Sequence, residues 1–294
     1  MEHCMVKTGA CSLVIGKGHY KNYFMEKKGK LMKITKTTHH HNEFKNLNIV
    51  RTIGNYEKYF SIPDEASILI NPSEPFYEYA KKLSDNASFF YGSMECLYMD
   101  YGGNKDMIDS LNDITRFHDL SFWSSYNKIL KFTKHILLGL SFLHEHKMCH
   151  LDIKPENIVL NTRTRKFKII DFGFSSIEPF QDYISNTRGT PSYFPQYIPT
   201  EKVTPWLPKV EANDMIHPVP ILTNPKLVYK IDSYCFGRVL FFLKYLYDDN
   251  RVYEFFNYEK KKGLKISSII SDLTENDVHQ RITIHQCLNK YFSK

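Results

Sequence analysis

His150–Leu151–Asp152–Ile153–Lys154–Pro155–Glu156–Asn157 is the stretch on which the reading turns. It follows Ser125–Glu145, where Ile129, Phe132, Ile136, Leu140 and Leu143 recur at steps of three and four, the period of a helix with one buried face. After it come two short apolar runs, 158–160 and 167–170, around the charged turn Asn161–Lys166, and these read as strands. An Asp, a Lys two positions later and an Asn five positions later can converge in one tight loop. Together they supply a carboxylate to orient a hydroxyl, an ammonium to neutralise phosphate charge, and an amide oxygen for a hard cation. Fourteen residues after Asn157 comes Asp171–Phe172–Gly173, at the end of the apolar strand Phe167–Ile170. Its carboxylate can reach the same cation, and Mg²⁺ takes such oxygen ligands together with phosphates and water.

The rest of the chain sets the bounds. Its 294 residues suit one large domain or two lobes and can bury a core without disulfides. Apolar residues at 42% and charged residues at 24% exclude a mostly disordered chain. Apolar runs such as Val239–Leu243 fall far short of the roughly 20 residues a bilayer needs, so no membrane span is expected. Met1–Ala10 carries charges without an apolar core, so no secretory leader is expected. Cys4, Cys11, Cys96, Cys149, Cys235 and Cys287 are scattered with no CxxC pair, which points to a reducing, intracellular compartment rather than a disulfide or zinc framework. The net charge of +7 permits acidic partners. Aromatic residues do not alternate with basic ones, so nucleic acid is not indicated.

Along the chain, Cys11–Ile15, Leu31–Ile34 and Cys96–Met99 read as strands. Asn42–Ile53 reads as a helix with Phe44, Leu47 and Val50 on one face. The run of prolines from Pro199 to Pro225 makes regular structure unexpected over 197–230. Ser233–Leu246, apolar on nearly all sides, reads as a buried helix. The first hundred residues are thus strand-rich and the remainder helix-rich, with a boundary near Gly102–Asn104.

The catalytic-loop-like stretch and Asp171–Gly173 resemble the H-R-D-L-K-P-x-N and D-F-G patterns of eukaryotic-type protein kinases, in residue type, order and spacing. Gly189–Gln196 resembles the end of a kinase activation segment, Asp232–Gly237 the start of the helix that anchors the catalytic loop, and Arg281 the late arginine tied to the activation segment. The resemblance covers residues 150–283 in order. It implies an α+β, bilobal kinase-like fold, with a small β-rich lobe over 1–102 and a mainly helical lobe over 103–294 that carries an insertion at about 197–230. It also implies ATP and Mg²⁺ as cofactors, Asp152 and Lys154 as catalytic residues, and Asn157 and Asp171 as metal ligands. Thr190 and Gln196 would lie in the activation segment, and Asp232 and Arg281 would be structural. Lys154 together with Thr190 resembles the Ser/Thr branch, with proteins as acceptors. In style the chain resembles divergent members, including those of large DNA viruses.

The resemblance extends residue by residue into the first hundred positions. Leu31–Met32–Lys33 resembles V-A-I-K, so Lys33 would bridge the ATP phosphates and pair with Glu43, with Lys30 and Lys36 as rivals. The glycine-rich loop has two registers: Gly9–Val14, in which Gly9, Ser12 and Val14 would meet ATP, or Gly16–Lys17–Gly18. Met99–Asp100–Tyr101–Gly102 resembles the hinge that binds adenine.

Several positions depart from the family pattern. Leu151 replaces the loop arginine that receives an activation-segment phosphate, so activity is expected not to depend on that ion pair. Gln196 replaces an acid, so any contact with Arg281 would be a neutral hydrogen bond. Leu31 replaces a small residue beside the adenine, and the glycine loop is poor in glycine. These departures motivate an alternative, a pseudokinase scaffold; the retention of Lys33, Asp152, Lys154, Asn157 and Asp171 favours an active enzyme. His39–His41 reads as exposed, and Cys149 beside His150 as a buried thiol rather than a nucleophile pair.

Overall fold

A computed structural model describes residues 6–8, 12–15, 30–73, 77–78, 81–82, 92–100, 102–103, 105–117, 121–178, 180, 225–249 and 256–293. By the density of its internal contacts the chain divides into two units, Met1–Gly102 and Gly103–Lys294.

In the smaller unit, strands β1 (Val6–Thr8), β2 (Ser12–Ile15), β3 (Lys30–Lys36), β4 (Pro63–Ile70) and β5 (Met94–Asp100) form one antiparallel sheet in the order β1-β2-β3-β5-β4. Helix α1 (Thr37–Thr52) packs on β3 and β5. Leu47 and Val50, one face of the expected helix, are fully buried, as are Ile34 and Met94 on the strands. The helix begins at Thr37, not at Asn42, because β3 runs straight into it without a connecting loop. His39–His41 are therefore helical rather than a lead-in, and Glu43 lies in the second turn rather than at the head.

The larger unit opens with Gly103, where only glycine fits: a Cβ there would come within 2.4 Å of the Leu160 backbone. The chain then forms β6 (Lys105–Asp106) and α2 (Met107–Phe117), followed by α3 (Tyr126–Glu145), β7 (Met148–Cys149), a 3-10 turn (Pro155–Asn157), β8 (Ile158–Asn161), β9 (Lys166–Ile169) and β10 (Ser176–Ile177). Helices α4 (Pro225–Asp249), α5 (Phe256–Leu273) and α6 (Ile284–Phe292) complete it. Sheets β6-β8-β9 and β10-β7 are antiparallel and flank the catalytic-loop-like stretch. Ile129, Phe132, Ile136, Leu140 and Leu143 of α3 are buried, as their period requires. Phe132 meets Trp123 and Phe167 edge-on, and Trp123 stacks on Phe167, in an aromatic cluster between α3 and β9.

Helix α4 corrects one expectation. It starts at Pro225, so 225–230 are helical, because a proline in the first turn loses no hydrogen bond and its φ already suits a helix. The remainder of the expected insertion, 197–224, lies outside the described residues.

Candidate active site

The loop from His150 to Asn157 is held from below by a single carboxylate. Asp232, on the second turn of α4 and fully buried, accepts the His150 N–H at 2.9 Å and the Leu151 N–H at 2.7 Å. His144 Nε2 lies 2.9 Å from the same carboxylate. Burial alone would raise the Asp232 pKa, but the His144 hydrogen bond, the charges of His144 and His150 and the His150 N–H outweigh it, so the carboxyl sits below its ordinary value.

This grip explains a backbone oddity. Leu151 has φ 69°, a left-handed conformation that costs a non-glycine residue on the order of 1–3 kcal/mol. The paired N–H groups on Asp232 and a fully buried Leu151 side chain compensate for it. Position 151 is thus committed to the core.

The turn aims Asp152 at its partners. Asn157 Nδ2 donates to the Asp152 carbonyl at 2.8 Å and to Asp152 Oδ2 at 2.9 Å. Lys154 Nζ lies 3.0 Å from Asp152 Oδ2. The expected convergence of Asp, Lys and Asn is therefore present within this unit, and both Asp152 and Asn157 are buried. Since both Asn157 bonds use its nitrogen, its carboxamide oxygen is left by them for another partner. The Ile170 N–H bonds the Asn157 carbonyl at 3.0 Å, which brings the start of Asp171–Gly173 beside Asn157. Asp171 is also left-handed, with φ 66°, and its Oδ1 accepts the Gly173 N–H at 3.4 Å. An amide oxygen and a carboxylate on neighbouring backbones are hard oxygen donors, the chemistry Mg²⁺ takes.

Two further contacts close the loop from the other side. The His150 ring reaches the Ile170 carbonyl at 3.1 Å through Nε2, takes the Asp152 N–H at 3.3 Å on Nδ1, and packs against Phe172 with centroids 5.1 Å apart. The buried Ser175 hydroxyl donates to the His150 carbonyl at 3.2 Å. No spacing rule in the sequence marks Ser175, a donor 25 residues from its acceptor. Cys149 is fully buried, and burial, then the charges of Asp232 and Glu178, push its thiol well above the ordinary value, which leaves it inert.

Arg281 is buried as well. Its Nε donates to the Glu275 carbonyl at 2.8 Å, Nη1 to the Lys230 carbonyl at 3.3 Å and Nη2 to the Asn276 carbonyl at 3.5 Å, while the guanidinium lies 4.8 Å from the Tyr234 ring centre. Thr190 and Gln196 lie outside the described residues, as do Gly9 and Tyr101.

In the smaller unit the backbone places Lys33 mid-strand in β3, directly opposite Val14 of β2 and Leu97 of β5. Ser12 stands opposite Thr35. Glu43 is on α1, Met99 and Asp100 end β5, and Gly102 is the unit's last residue.

Comparison with known proteins agrees with this architecture. Residues 17–206 match the protein kinase domain, and the chain belongs to that family. Its fold class is the α+β, bilobal one the family implies, with a strand-rich smaller unit and a mostly helical larger one. The chain is 29% identical over 177 residues to the probable serine/threonine-protein kinase fhkB of Dictyostelium discoideum, covering 55% of this chain and 14% of that protein. It is 39% identical over 67 residues to serine/threonine-protein kinase 17A of Oryctolagus cuniculus, covering 22% and 17%. To myosin light chain kinase 3 of Rattus norvegicus it is 31% identical over 110 residues, covering 37% and 13%. The chain therefore spans less than a fifth of the length of each of these relatives. Among the described residues no helix is long and apolar enough to cross a membrane.

Proposed function

We propose that the chain is an active serine/threonine protein kinase that transfers the γ-phosphate of ATP, with Mg²⁺, to Ser or Thr hydroxyls of protein substrates. The observation that carries this reading is the Asp152–Lys154–Asn157 cluster, built on a loop whose strained turn is pinned by Asp232. Asp152 orients the acceptor hydroxyl and takes up its proton. Lys154, already beside that carboxylate, neutralises charge on the transferring group. Asn157, through its carboxamide oxygen, and Asp171 would hold Mg²⁺, which would supply positive charge to stabilise the phosphate oxygens. Catalysis then consists of positioning and electrostatics, with no covalent enzyme intermediate.

Lys33, on β3, bridges the ATP phosphates and pairs with Glu43 on α1; Met99, Asp100, Tyr101 and Gly102 take the adenine. Strands β1 and β2 pair antiparallel, with Thr8 opposite Leu13, which supports the register using Gly9, Ser12 and Val14 over that of Gly16 and Gly18. Thr190 and Gln196 belong to the acceptor side. That similar proteins are serine/threonine-protein kinases by name supports Ser/Thr acceptors. The four buried, unpaired cysteines among the described residues fit a reducing intracellular compartment.

The test is incubation with radiolabelled ATP, Mg²⁺ and generic basic and acidic proteins, followed by hydrolysis and separation of phosphoamino acids. Label on phosphoserine or phosphothreonine is expected. Phosphotyrosine alone would overturn the acceptor assignment, and absence of label from a folded, nucleotide-binding chain would favour a scaffold.

A further inference from the structure

One strongly charged surface of the larger unit has no part in that machinery. It lies where α3 meets the β8–β9 hairpin. Lys128, Lys131 and His135 follow one another at helical steps of three and four, so they share a flank of α3, with Lys134 beside them. His135 Nε2 meets the Phe167 carbonyl of β9 at 2.9 Å, and Phe132 packs edge-on against Phe167 with centroids 4.9 Å apart, so this flank is fixed against the hairpin. The hairpin turn is itself ordered: the Arg165 N–H bonds the Asn161 carbonyl at 2.7 Å and the Thr164 N–H bonds Asn161 Oδ1 at 2.9 Å. Arg163, Arg165 and Lys166 project from it, and these three, with Lys131 and Lys134, are exposed.

The two sides act on each other. Burial first, and then the Arg165 charge, lower the Lys128 pKa. Lys128 finds only a neutral acceptor, the Ser121 carbonyl at 3.2 Å. No carboxylate accompanies the cluster in its own stretches of chain, because 121–135 and 157–170 contain neither Asp nor Glu. Among the described residues, none of the ion pairs involves Lys128, Lys131, Lys134, Arg163, Arg165 or Lys166. Six cations of one sign on a rigid helix–hairpin junction form an uncompensated field that a surface of interspersed charges would not have.

We propose that this surface docks an acidic segment of a protein substrate, away from the catalytic loop; the substrate role rests on the kinase reading above. Charge complementarity identifies the partner's sign. The aromatic rings nearby, Phe122, Phe132 and Phe167, are engaged with one another and offer no platform for a nucleic-acid base. Side-chain carboxylates spaced along a peptide match separate ammonium and guanidinium groups, and their pairing raises the rate of encounter as well as affinity.

The experiment measures binding of a fluorescein-labelled polyglutamate peptide by anisotropy at about 50 mM salt, where surface charges are weakly screened. One variant combines Lys131→Gln, Lys134→Gln, Arg163→Gln and Arg165→Gln; a control removes the same charge elsewhere with Lys45→Gln, Lys58→Gln, Lys82→Gln and Lys261→Gln. All eight residues are exposed, so both proteins should fold. The surface variant is expected to raise Kd by about tenfold or more and the control by less than about twofold. Equal weakening in both would reduce the effect to net charge and overturn the proposal, as would no binding by the wild-type chain. Tighter surface-dependent binding of a single-stranded oligonucleotide or of phosphatidylserine vesicles would also overturn it. Binding needs no phosphate transfer. Surface-dependent binding by a chain that transfers no phosphate would sink the kinase reading and leave the acidic docking site, whereas full transfer without such binding would sink the docking site alone.

Discussion

Asp232 and Arg281 are both buried charged residues of the larger unit, one carrying an anion and the other a cation, and the fold treats them differently. Asp232 faces donors that favour its charged form: His144 and the N–H groups of His150 and Leu151. Its pKa falls despite complete burial. Arg281 faces three neutral carbonyls and the Tyr234 ring, and burial dominates, lowering its pKa to about 10. Burial by itself pushes any group towards its neutral form; only specific partners reverse that. The carboxylate under the catalytic loop has such partners and serves as an electrostatic anchor, whereas the arginine serves as a hydrogen-bonding staple for the Glu275–Asn276 turn and the second turn of α4.

The sharpest way to break the comparison is to remove each group. Asp232→Ala would leave His144 and two backbone N–H groups without their acceptor and release the strained Leu151, at a cost of about 3–5 kcal/mol. Arg281→Ala should cost less, about 2–4 kcal/mol, since the stranded groups are neutral carbonyls. Urea unfolding followed through Trp123, buried in the same unit, measures both; an equal or reversed order would refute the distinction between anchor and staple.

Acid titration sharpens it further. Because the folded pKa of Asp232 lies below the unfolded value of 3.8, its contribution is fully present above that value and is lost as pH falls through the folded pKa. For Arg281 the sign is opposite in effect: its charged form is disfavoured by folding, and that cost is relieved only as pH rises from about 10 towards 12.5. Melting temperatures below about pH 4 should therefore decline towards acid less steeply in Asp232→Asn than in wild type, and the same way as wild type in Arg281→Lys.

The smallest effect concerns the residue next to the anchor. Ser233 is fully buried and its hydroxyl has no hydrogen-bond partner among the described residues. Ser233→Ala is expected to stabilise the chain by up to about 1 kcal/mol, the desolvation cost of an unpaired hydroxyl, read as a rise in unfolding midpoint.

How much of this the sequence revealed depends on the distance over which each feature is encoded. The buried face of α3 and the strands around Asn161 were legible because period and turn chemistry are local. Pro225 misled because a breaker inside a helix is tolerated in its first turn. The α2 helix carries a helical pattern in Met107, Leu111 and Ile114, and α6 begins with a Thr283–Gln286 capping box, both local signals legible in the sequence. By contrast, the Asp232 grip on His150 spans 82 residues and was approached only through family resemblance, while the Ser175 hydroxyl bond had no signal at all.

The claim that Asp152 performs phosphate transfer is tested most directly by measuring turnover and nucleotide affinity on the same preparations of wild-type and Asp152→Asn chains. The account expects nucleotide Kd unchanged within about twofold and turnover lower by about 100-fold or more. Unchanged turnover in the variant, or a wild-type chain that binds Mg²⁺ and ATP but transfers nothing, would contradict it.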